Sequence, residues 1–219
     1  MVRKMEVKRY SENPNNHWSD IEQFRKQTFI EGNNSLGYDK YDPEDPNIET
    51  WMCYKYVEEW ENYKKPSGKI KERLKKYDKL ISISAAEKSH YTNDPDIAVR
   101  VCRYHILDGY RFSHCGLIMG EHQIKWAREK GYKILYITHD INNITINKLY
   151  QRRKVMTVPS FKEHTKGEWY NNLQLEKNFL FKTKNTLQYV YSIRLQGDYD
   201  WQPKSDYIVE RKHDGKIKE

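Results

Sequence analysis

A short stretch in the middle of the chain has the composition of a phosphate-binding turn. An extended run ends at Leu107, Asp108-Gly109 forms a tight turn, and a helix is predicted to begin near Cys115. The first turn of a helix presents unpaired N–H groups and the positive end of its dipole, which suit phosphate oxygens. Gly116 removes a side chain where a ligand would approach the backbone, and Arg111 can add a charge-assisted hydrogen bond. The segment therefore predicts a pyrophosphate site.

The elements around this turn have clear patterns. Residues 97–107 (IAVRVCRYHIL) form a strand, and Leu80–Glu87 (LISISAAE) is predicted to be its antiparallel neighbour. The helix after the turn carries an apolar stripe and ends at Gly131, which suits a C′ position. The strand Tyr132–Ile137 follows, and a right-handed crossover should make it parallel to the strand before the helix. A short helix then ends at Tyr150.

Further elements are predicted on either side. Residues 2–9 alternate and indicate a strand, and Ser19–Glu22 is a capping box that opens a helix to about residue 30. Two later runs indicate strands, Phe179–Lys182 and Leu187–Leu195. The interpretation is a single domain over residues 1–196, followed by a polar, irregular tail over residues 197–219.

Residues 31–78 are interpreted as an inserted, largely helical segment. Residues 32–47 have the composition of a loop, with glycines and Asp-Pro steps. Residues 50–64 fit either a helix or a strand, and spacing of aromatic residues by three favours the helix. A break at Pro66–Gly68 precedes a basic helix over residues 69–79, whose lysines either grip phosphates or form a solvated face.

Composition restricts the classes of partner and compartment. No apolar run approaches the roughly 20 residues that span a bilayer, and the N-terminus lacks the apolar segment of a secretory signal. The three cysteines have no CxxC spacing, so neither a disulfide framework nor a metal site is expected. A net charge of +8 favours an anionic partner such as acyl-CoA, a nucleotide or nucleic acid. The expected location is the cytoplasm, with no membrane association.

The turn and its flanking elements together carry a resemblance to a known family. Tyr110-Arg111 follow the strand, and Arg111-Phe-Ser-His-Cys-Gly116 form the loop. Trp126–Tyr132 (WAREKGY) end the helix, and Asn143–Tyr150 (NITINKLY) form the last helix. This order resembles the GCN5-related N-acetyltransferase superfamily, in which an Arg/Gln-x-x-Gly-x-Gly/Ala loop binds the pyrophosphate of CoA. Two positions depart from the pattern, because His114 replaces the first glycine and Asp108 replaces a proline.

The resemblance implies a fold, a reaction and a set of site residues. The fold is α/β (α+β), a mixed central sheet flanked by helices. The reaction is direct transfer of an acyl group, from acetyl-CoA, to an amine within a ternary complex, without a metal. The Ile106 amide would polarise the thioester carbonyl, and the Tyr150 hydroxyl would protonate the departing thiolate. The remaining CoA contacts would come from Arg111, Ser113, His114, Cys115, Gly116 and Asn143.

An amine that attacks a thioester must also lose a proton to a base. The fourth strand of the predicted fold contains no glutamate. The candidates are His105 within that strand, Glu87 at the end of the preceding strand, and His139 after the fifth strand. Cys115 can act as a nucleophile at a helix N-terminus or serve as a small buried hydrophobe.

Three other functions fit the same residues. The first is a non-catalytic module of this fold that binds nucleic acid or protein, favoured by the positive charge and the two departures from the motif. The second is a phage-encoded enzyme that modifies a DNA base, with which the AT-biased, aromatic and basic composition is compatible. The third is a structural component of an assembly, since residues 31–78 and 155–219 exceed what the fold needs and are rich in Tyr and Trp.

Overall fold

The computed structural model describes residues 5–12, 18–28, 44–110, 114–151, 168–183, 186–197, 199 and 201–211. Within them, the strands form one nine-stranded mixed sheet. The strand order is β1 (Glu6–Arg9), β2 (Ile48–Lys64), β3 (Ile70–Lys88), β4 (Ala98–Ile106), β5 (Ile134–Asp140), β8 (Leu187–Arg194), β7 (Phe179–Lys182) and β9 (Ile208–Glu210), with β6 (Gln174–Leu175) also beside β8. The β4–β5 pair is parallel, and every other pair is antiparallel. The predicted mixed sheet is confirmed.

Helices cover both faces of the sheet. They are α1 (Trp18–Lys26), α2 (Cys115–Glu129), α3 (Ile144–Gln151) and α4 (Glu168–Asn172). The apolar stripe of α2, which includes Leu117 and Ile124, packs on the face that carries Trp51 and Val101. The opposite face of the sheet packs against α1. The helices predicted before and after the turn are therefore confirmed, as are the strands on both sides of α2.

The centre of the sheet explains why its strands have few polar residues. Ala98, Val99 and Val101 of β4 are buried, and so is every residue from Ile134 to Ile137 of β5. Strands that are covered on both faces have near-continuous apolar sequences rather than alternating ones. Burial on two faces also makes this pair of strands the rigid base from which the functional residues extend.

The two helices predicted between residues 50 and 79 are wrong, because both segments are strands. Residues 48–64 form β2, and residues 70–88 form β3, which pairs with β2 along its whole length. Spacing by three does not place the aromatic side chains on one helical face here, since they alternate across a strand. The alternating charges of the second segment meet carboxylates on the first, as in the ion pair of Lys76 with Glu58. Those cross-strand partners are non-local, so the local pattern did not show them.

The β2–β3 hairpin extends well beyond its neighbours. β1 pairs with β2 only as far as Tyr54, and β4 pairs with β3 only from Ser82 onward. Residues 55–79 therefore form a two-stranded projection, which we call the arm. Ten residues of strand at about 3.3 Å each make it about 33 Å long.

The C-terminal segment is more ordered than predicted. Trp201 is 7% exposed and packs in a cluster with Tyr136 and Phe181. The last strand, β9, pairs with β7 at one edge of the sheet. Residues 201–211 thus complete the cluster around Trp201. This corrects the prediction of an irregular tail for this part of the chain. None of the helices in the described part of the chain is long and apolar enough to cross a membrane.

Candidate functional site

The central parallel pair of strands separates after four residues. β4 and β5 pair from Ala98–Ile134 to Val101–Ile137. Beyond that point, among the described residues, β4 pairs only with β3 and β5 pairs only with β8. The two strands therefore part towards their C-terminal ends and leave a gap inside the sheet. Ligands of open α/β sheets bind at such carboxyl ends, where neighbouring connections leave in different directions.

A bulge in β4 forms one side of this gap. Arg103 has a φ of 50°, and the register between β3 and β4 shifts between Ile83 and Ala85. A residue in this left-handed conformation bends the strand and increases its local twist. The bulge thus turns the last residues of β4 away from β5.

The backbone amide of Ile106 points towards the gap. The Leu107 amide donates to the Ile81 carbonyl at 3.0 Å, which makes those two residues a hydrogen-bonded pair. Hydrogen-bonded and non-hydrogen-bonded pairs alternate along an antiparallel ladder. Ser82 and Ile106 are therefore a non-hydrogen-bonded pair, and the Ile106 N–H faces away from β3. This is the orientation that the predicted carbonyl contact requires.

Helix α2 begins beside the same end of β4. Its N-cap residue is His114, whose side chain makes no capping hydrogen bond. No described residue accepts a hydrogen bond from the amides of Gly116 or Leu117. These donors belong to the first turn of the helix, where the dipole attracts anions. Arg111 and Ser113, the other predicted phosphate contacts, lie outside the described residues.

Tyr104 covers the start of α2. A Cβ added at Gly116 would lie 2.5 Å from the Tyr104 hydroxyl oxygen, which in turn lies 3.6 Å from the Cys115 sulfur. Gly116 therefore makes room for a phenol of this chain as well as for a ligand. Burial, with help from Cys115 and then Tyr150, raises the pKa of Tyr104 well above its ordinary value. The phenol is consequently a neutral hydrogen-bond donor at neutral pH.

Tyr150 lies on the other side of the gap, where α3 packs on β5 and β8. Its ring stacks on His139 with the centroids 5.0 Å apart and lies 5.1 Å from the ring of Tyr191. Tyr150 also packs against the apolar cluster that contains Cys115, the first residue of α2. The predicted acid and the start of α2 therefore border the same part of the core.

His139 is the most perturbed histidine of this region. Burial lowers its pKa to about 4, so the imidazole is neutral at pH 7. Its Nε2 atom is buried and has no hydrogen-bond partner among the described residues. Of the three base candidates, His139 is the one that contacts Tyr150.

Two asparagines at the start of α3 have different tasks. Asn143 is exposed, and its Oδ1 accepts a hydrogen bond from the Ile146 amide at 3.3 Å, as an N-cap residue does. Asn147 is 5% exposed and donates to the carbonyls of Asp140 and Ile141 at 2.9 and 3.2 Å. Its Oδ1 also accepts from the Tyr191 hydroxyl at 3.4 Å.

The role of Asn147 was missed in the sequence. It fixes the end of β5 to α3 and so positions Tyr150 over the gap. Asparagine is a poor residue for a helix interior, because its side chain competes for backbone hydrogen bonds. An asparagine within an eight-residue helix was the signal that this side chain has a partner elsewhere.

The other two base candidates lie on the sheet face that α2 does not cover. His105 is 5% exposed and lies opposite Ile83, with its Nδ1 3.3 Å from the Thr28 hydroxyl at the end of α1. Glu87 contacts Arg103 at 2.7 Å and Arg100 at 3.4 Å, one arginine for each carboxylate oxygen. The structure does not bring these two candidates together with Tyr150.

Among the residues that the structure describes, neither the cysteines nor a metal-binding group adds another reactive group to the gap. Cys115 is fully buried. Burial, and to a smaller extent Cys115, raise the pKa of the neighbouring Cys53 to about 12. Within the described residues, no three His, Cys, Asp or Glu side chains are close enough together to hold a metal ion.

One open cavity lies away from this site. It has a volume of about 510 Å³ and lies between β1 and α2, with Trp51 and Trp126 among its walls. Its charged side chains are mixed in sign and comprise Lys8, Arg9, Glu12, Lys125 and Glu129. None of its lining residues borders the gap, and three cations beside two carboxylates attract a phosphate group only weakly.

Several solved structures have a similar fold. The chain is similar to an N-acetyltransferase from Staphylococcus aureus Mu50, with 10% identity and a TM-score of 0.50 over 89% of this chain and 100% of that one. A protein from Lactobacillus plantarum assigned as an N-acetyltransferase has 13% identity and a TM-score of 0.53 over 89% of this chain and 100% of that one. The third is yncA from Salmonella typhimurium, assigned as an acetyltransferase and crystallised with acetyl-CoA, with 8% identity and a TM-score of 0.50 over 93% and 99%.

No protein-family model and no curated protein matches the chain. At such low identity the structural likeness establishes the fold alone. The predicted architecture of the GCN5-related N-acetyltransferases is therefore confirmed, and what the chain does has to be argued from its own gap and helix N-terminus.

Proposed function

We propose that this protein is an N-acyltransferase that uses acetyl-CoA as acyl donor and an amine as acceptor. The observation that carries the proposal is the separation of β4 and β5 beside the start of α2. An extended acyl-pantetheine arm fits a gap between two strands, and a diphosphate fits the amides of the helix. The yncA structure, which contains acetyl-CoA, supports a donor of this class for the fold.

The residues of the chain supply three contributions to such a reaction. The Ile106 amide donates to the oxygen of the thioester carbonyl and stabilises its negative charge as the amine adds. The C–N bond forms, the C–S bond breaks, and the Tyr150 hydroxyl gives its proton to the thiolate. Tyr150 then regains a proton from solvent. Positioning of both substrates in one gap supplies the remaining advantage.

The proton that the amine loses needs an acceptor, and we assign it to His105. Glu87, the alternative, has an arginine at each carboxylate oxygen, so it would have to break an ion pair to take up a proton. Imidazole is the side chain most often used as a general base, and His105 can take this role when the amine approaches from the face covered by α1. A His105→Gln variant should lower kcat at least about 10²-fold, whereas Glu87→Gln should change it little.

Calorimetric titration with acetyl-CoA tests the donor site. We expect a Kd in the micromolar range, about −8 kcal/mol. Gly116→Asp should weaken binding at least about tenfold, because a carboxylate would stand beside the diphosphate. Gly116→Asn is the matched control, since it has the same size and displaces Tyr104 equally but adds no charge.

The proposal is overturned if acetyl-CoA at millimolar concentration neither releases heat of binding in the titration nor competes with another ligand of the gap. Equal affinities for the Asp and Asn variants would remove the diphosphate from the helix N-terminus. Release of the CoA thiol in the presence of spermidine, a lysine-rich peptide, an aminoglycoside or adenosine would then identify the class of amine. Binding without turnover of any of these would favour the non-catalytic alternative.

A further inference from the structure

The arm gives the two faces of its ribbon different chemistry. On one face, Arg73 and Lys79 pair with Glu61 and Glu59, and Arg73 also lies over the ring of Tyr63. That face pairs its charges except for Lys71 near the tip. The other face carries the cross-strand pairs Glu58–Lys76, Trp60–Leu74, Asn62–Glu72 and Lys64–Ile70.

Exposure on this second face is high for apolar side chains. Trp60 is 69% exposed, Ile70 is 71% exposed and Leu74 is 38% exposed. An isolated two-stranded hairpin is at best marginally stable in water, so exposed apolar residues on it do not serve the core. Trp60 and Leu74 are direct cross-strand neighbours, and exposed apolar side chains side by side on one face indicate a surface that contacts a partner.

The tip of the arm is positively charged. Between residues 62 and 71 there are four lysines, Lys64, Lys65, Lys69 and Lys71, and no acidic residue. None of these lysines has an ion-pair partner among the described residues. The turn is held by the Gly68 amide, which donates to the Lys65 carbonyl at 2.8 Å, and by a φ of 83° at Gly68. The cations therefore project from a defined turn.

We propose that the arm binds duplex DNA, with its tip lysines on the phosphate backbone and its apolar face towards the bases. The major groove of B-form DNA admits a two-stranded β-ribbon, whereas the major groove of an RNA helix is too narrow for side chains to read. Lysines on both sides of the turn, Lys64 and Lys65 on one and Lys69 and Lys71 on the other, place cations at both edges of the ribbon, where the phosphate walls of a groove would lie. Exposed Trp60, Leu74 and Ile70 can contact thymine methyl groups at the floor.

Charge complementarity selects this occupant over others. The whole chain carries a net charge of +8, and the tip concentrates unpaired cations at the point farthest from the sheet. The carboxylates nearest the tip are Glu61, which pairs with Arg73, and Glu72. A second copy of the chain would bring the same cations against each other, whereas a polyanion would bring opposite charges to them.

Fluorescence anisotropy with a labelled duplex of mixed sequence tests the proposal without any acyl donor. The test variant changes Lys64, Lys65, Lys69 and Lys71 to Gln. The control changes Lys125, Lys130, Lys177 and Lys182 to Gln, which removes the same charge from exposed sites off the arm.

Four phosphate contacts should account for about 3.6 of the slope of log K against log [salt]. We expect the test variant to lose that part of the slope. Between about 50 and 200 mM salt its affinity should therefore fall about 10²-fold less than that of the original chain. The control should keep the slope of the original chain.

Three outcomes would overturn the proposal. The first is equal slopes for the two variants, which would mean that only total charge matters. The second is preference for single-stranded over duplex DNA. The third is no binding at about 50 mM salt; a dimer in sedimentation that Trp60→Ser dissociates would then make the arm a contact between copies. Acyl transfer to a small amine is independent of all three, so failure here leaves the proposed function untouched.

Discussion

Strands lose a hydrogen-bonded neighbour at two places in this sheet, with opposite consequences. Inside the sheet, β4 and β5 part after Val101 and Ile137. Outside it, β2 and β3 continue past Tyr54 and Ser82 and keep only each other. The first place lies between strands that are each paired on their other side, and the second is surrounded by water.

The two kinds of unpaired backbone suit different ligands. A strand N–H that faces away from its paired neighbour, such as that of Ile106, needs an acceptor from a ligand or from water, which suits a small molecule that enters between strands. The edges of the arm are solvated, and their charged side chains discourage pairing with other strands. We therefore expect the gap to take a small ligand and the arm to take a macromolecule.

Removal of the Tyr150 hydroxyl should produce the largest effect and would place the chemistry in the gap. Tyr150→Phe keeps the ring contacts with His139 and Tyr191 but loses the proton donor. General acid help contributes about 10²–10⁴-fold, so kcat for thiol release from acetyl-CoA should fall by at least about 10²-fold. KM should change little, because the proton is needed only as the C–S bond breaks.

A matched variant on the arm makes this comparison sharp. Tyr63→Phe removes a hydroxyl from the other region and should leave kcat unchanged. The defect of Tyr150→Phe should also shrink with an acyl thioester whose thiol is more acidic, since such a thiolate leaves without a proton. A Tyr150→Phe enzyme with a kcat within about threefold of the original would assign the acid to another group.

The buried imidazole at the gap should make stability depend on pH. Burial lowers the pKa of His139 to about 4 in the folded protein, from an ordinary value of about 6.5. Above about pH 6.5 the ring is neutral in both states and has no effect. As the pH falls below that value, the unfolded chain takes up a proton that the folded protein does not, so stability is lost down to about pH 4.

His139→Phe measures this effect, because it keeps an aromatic ring against Tyr150 and does not titrate. Between pH 7 and 4.5 the original chain should lose about 2 to 3 kcal/mol more of its free energy of unfolding than the variant. Urea unfolding followed by tryptophan fluorescence gives both curves. Burial also lowers the pKa of His90 and His122, but these residues are common to both proteins and cancel in the difference. Parallel curves would mean that His139 is solvated and is not part of a closed wall of the gap.

The two regions also differ in how far the sequence revealed them. The gap lies in a segment where strand, turn, helix and strand follow one another, so local signals such as Gly131 and the run from Ile134 to Ile137 were sufficient. The bulge at Arg103 was not predicted, because nothing in RVCRYHI distinguishes a left-handed residue from an extended one. Likewise, the contact of Tyr104 with Gly116 depends on the bend that this bulge produces.

The arm could not be recognised from local pattern, because what stabilises it lies across the hairpin. Spacing by three in β2 imitates a helix, and only the pairing of Glu61 with Arg73 and of Trp60 with Leu74 shows otherwise. Cross-strand pairs contribute on the order of 0.2–1 kcal/mol each, but the register of their pairing cannot be read from the sequence of either strand alone. Lysines that were predicted on a basic helix thus belong to a projecting ribbon.

Shortening of the arm should have the smallest effect on the fold and is the most direct test of the contrast between the two regions. Deletion of Glu58–Lys76, with Asn-Gly joining Val57 to Tyr77, retains a paired hairpin end and a favoured two-residue turn. The arm buries little apolar surface, so the free energy of unfolding should change by less than about 1 kcal/mol. Acetyl-CoA affinity should be unchanged, while affinity for duplex DNA should fall as in the tip variant. If the shortened chain instead lost acetyl-CoA binding, the arm would have to be part of the gap, and the separation of a small-ligand region from a macromolecule-binding region would be wrong.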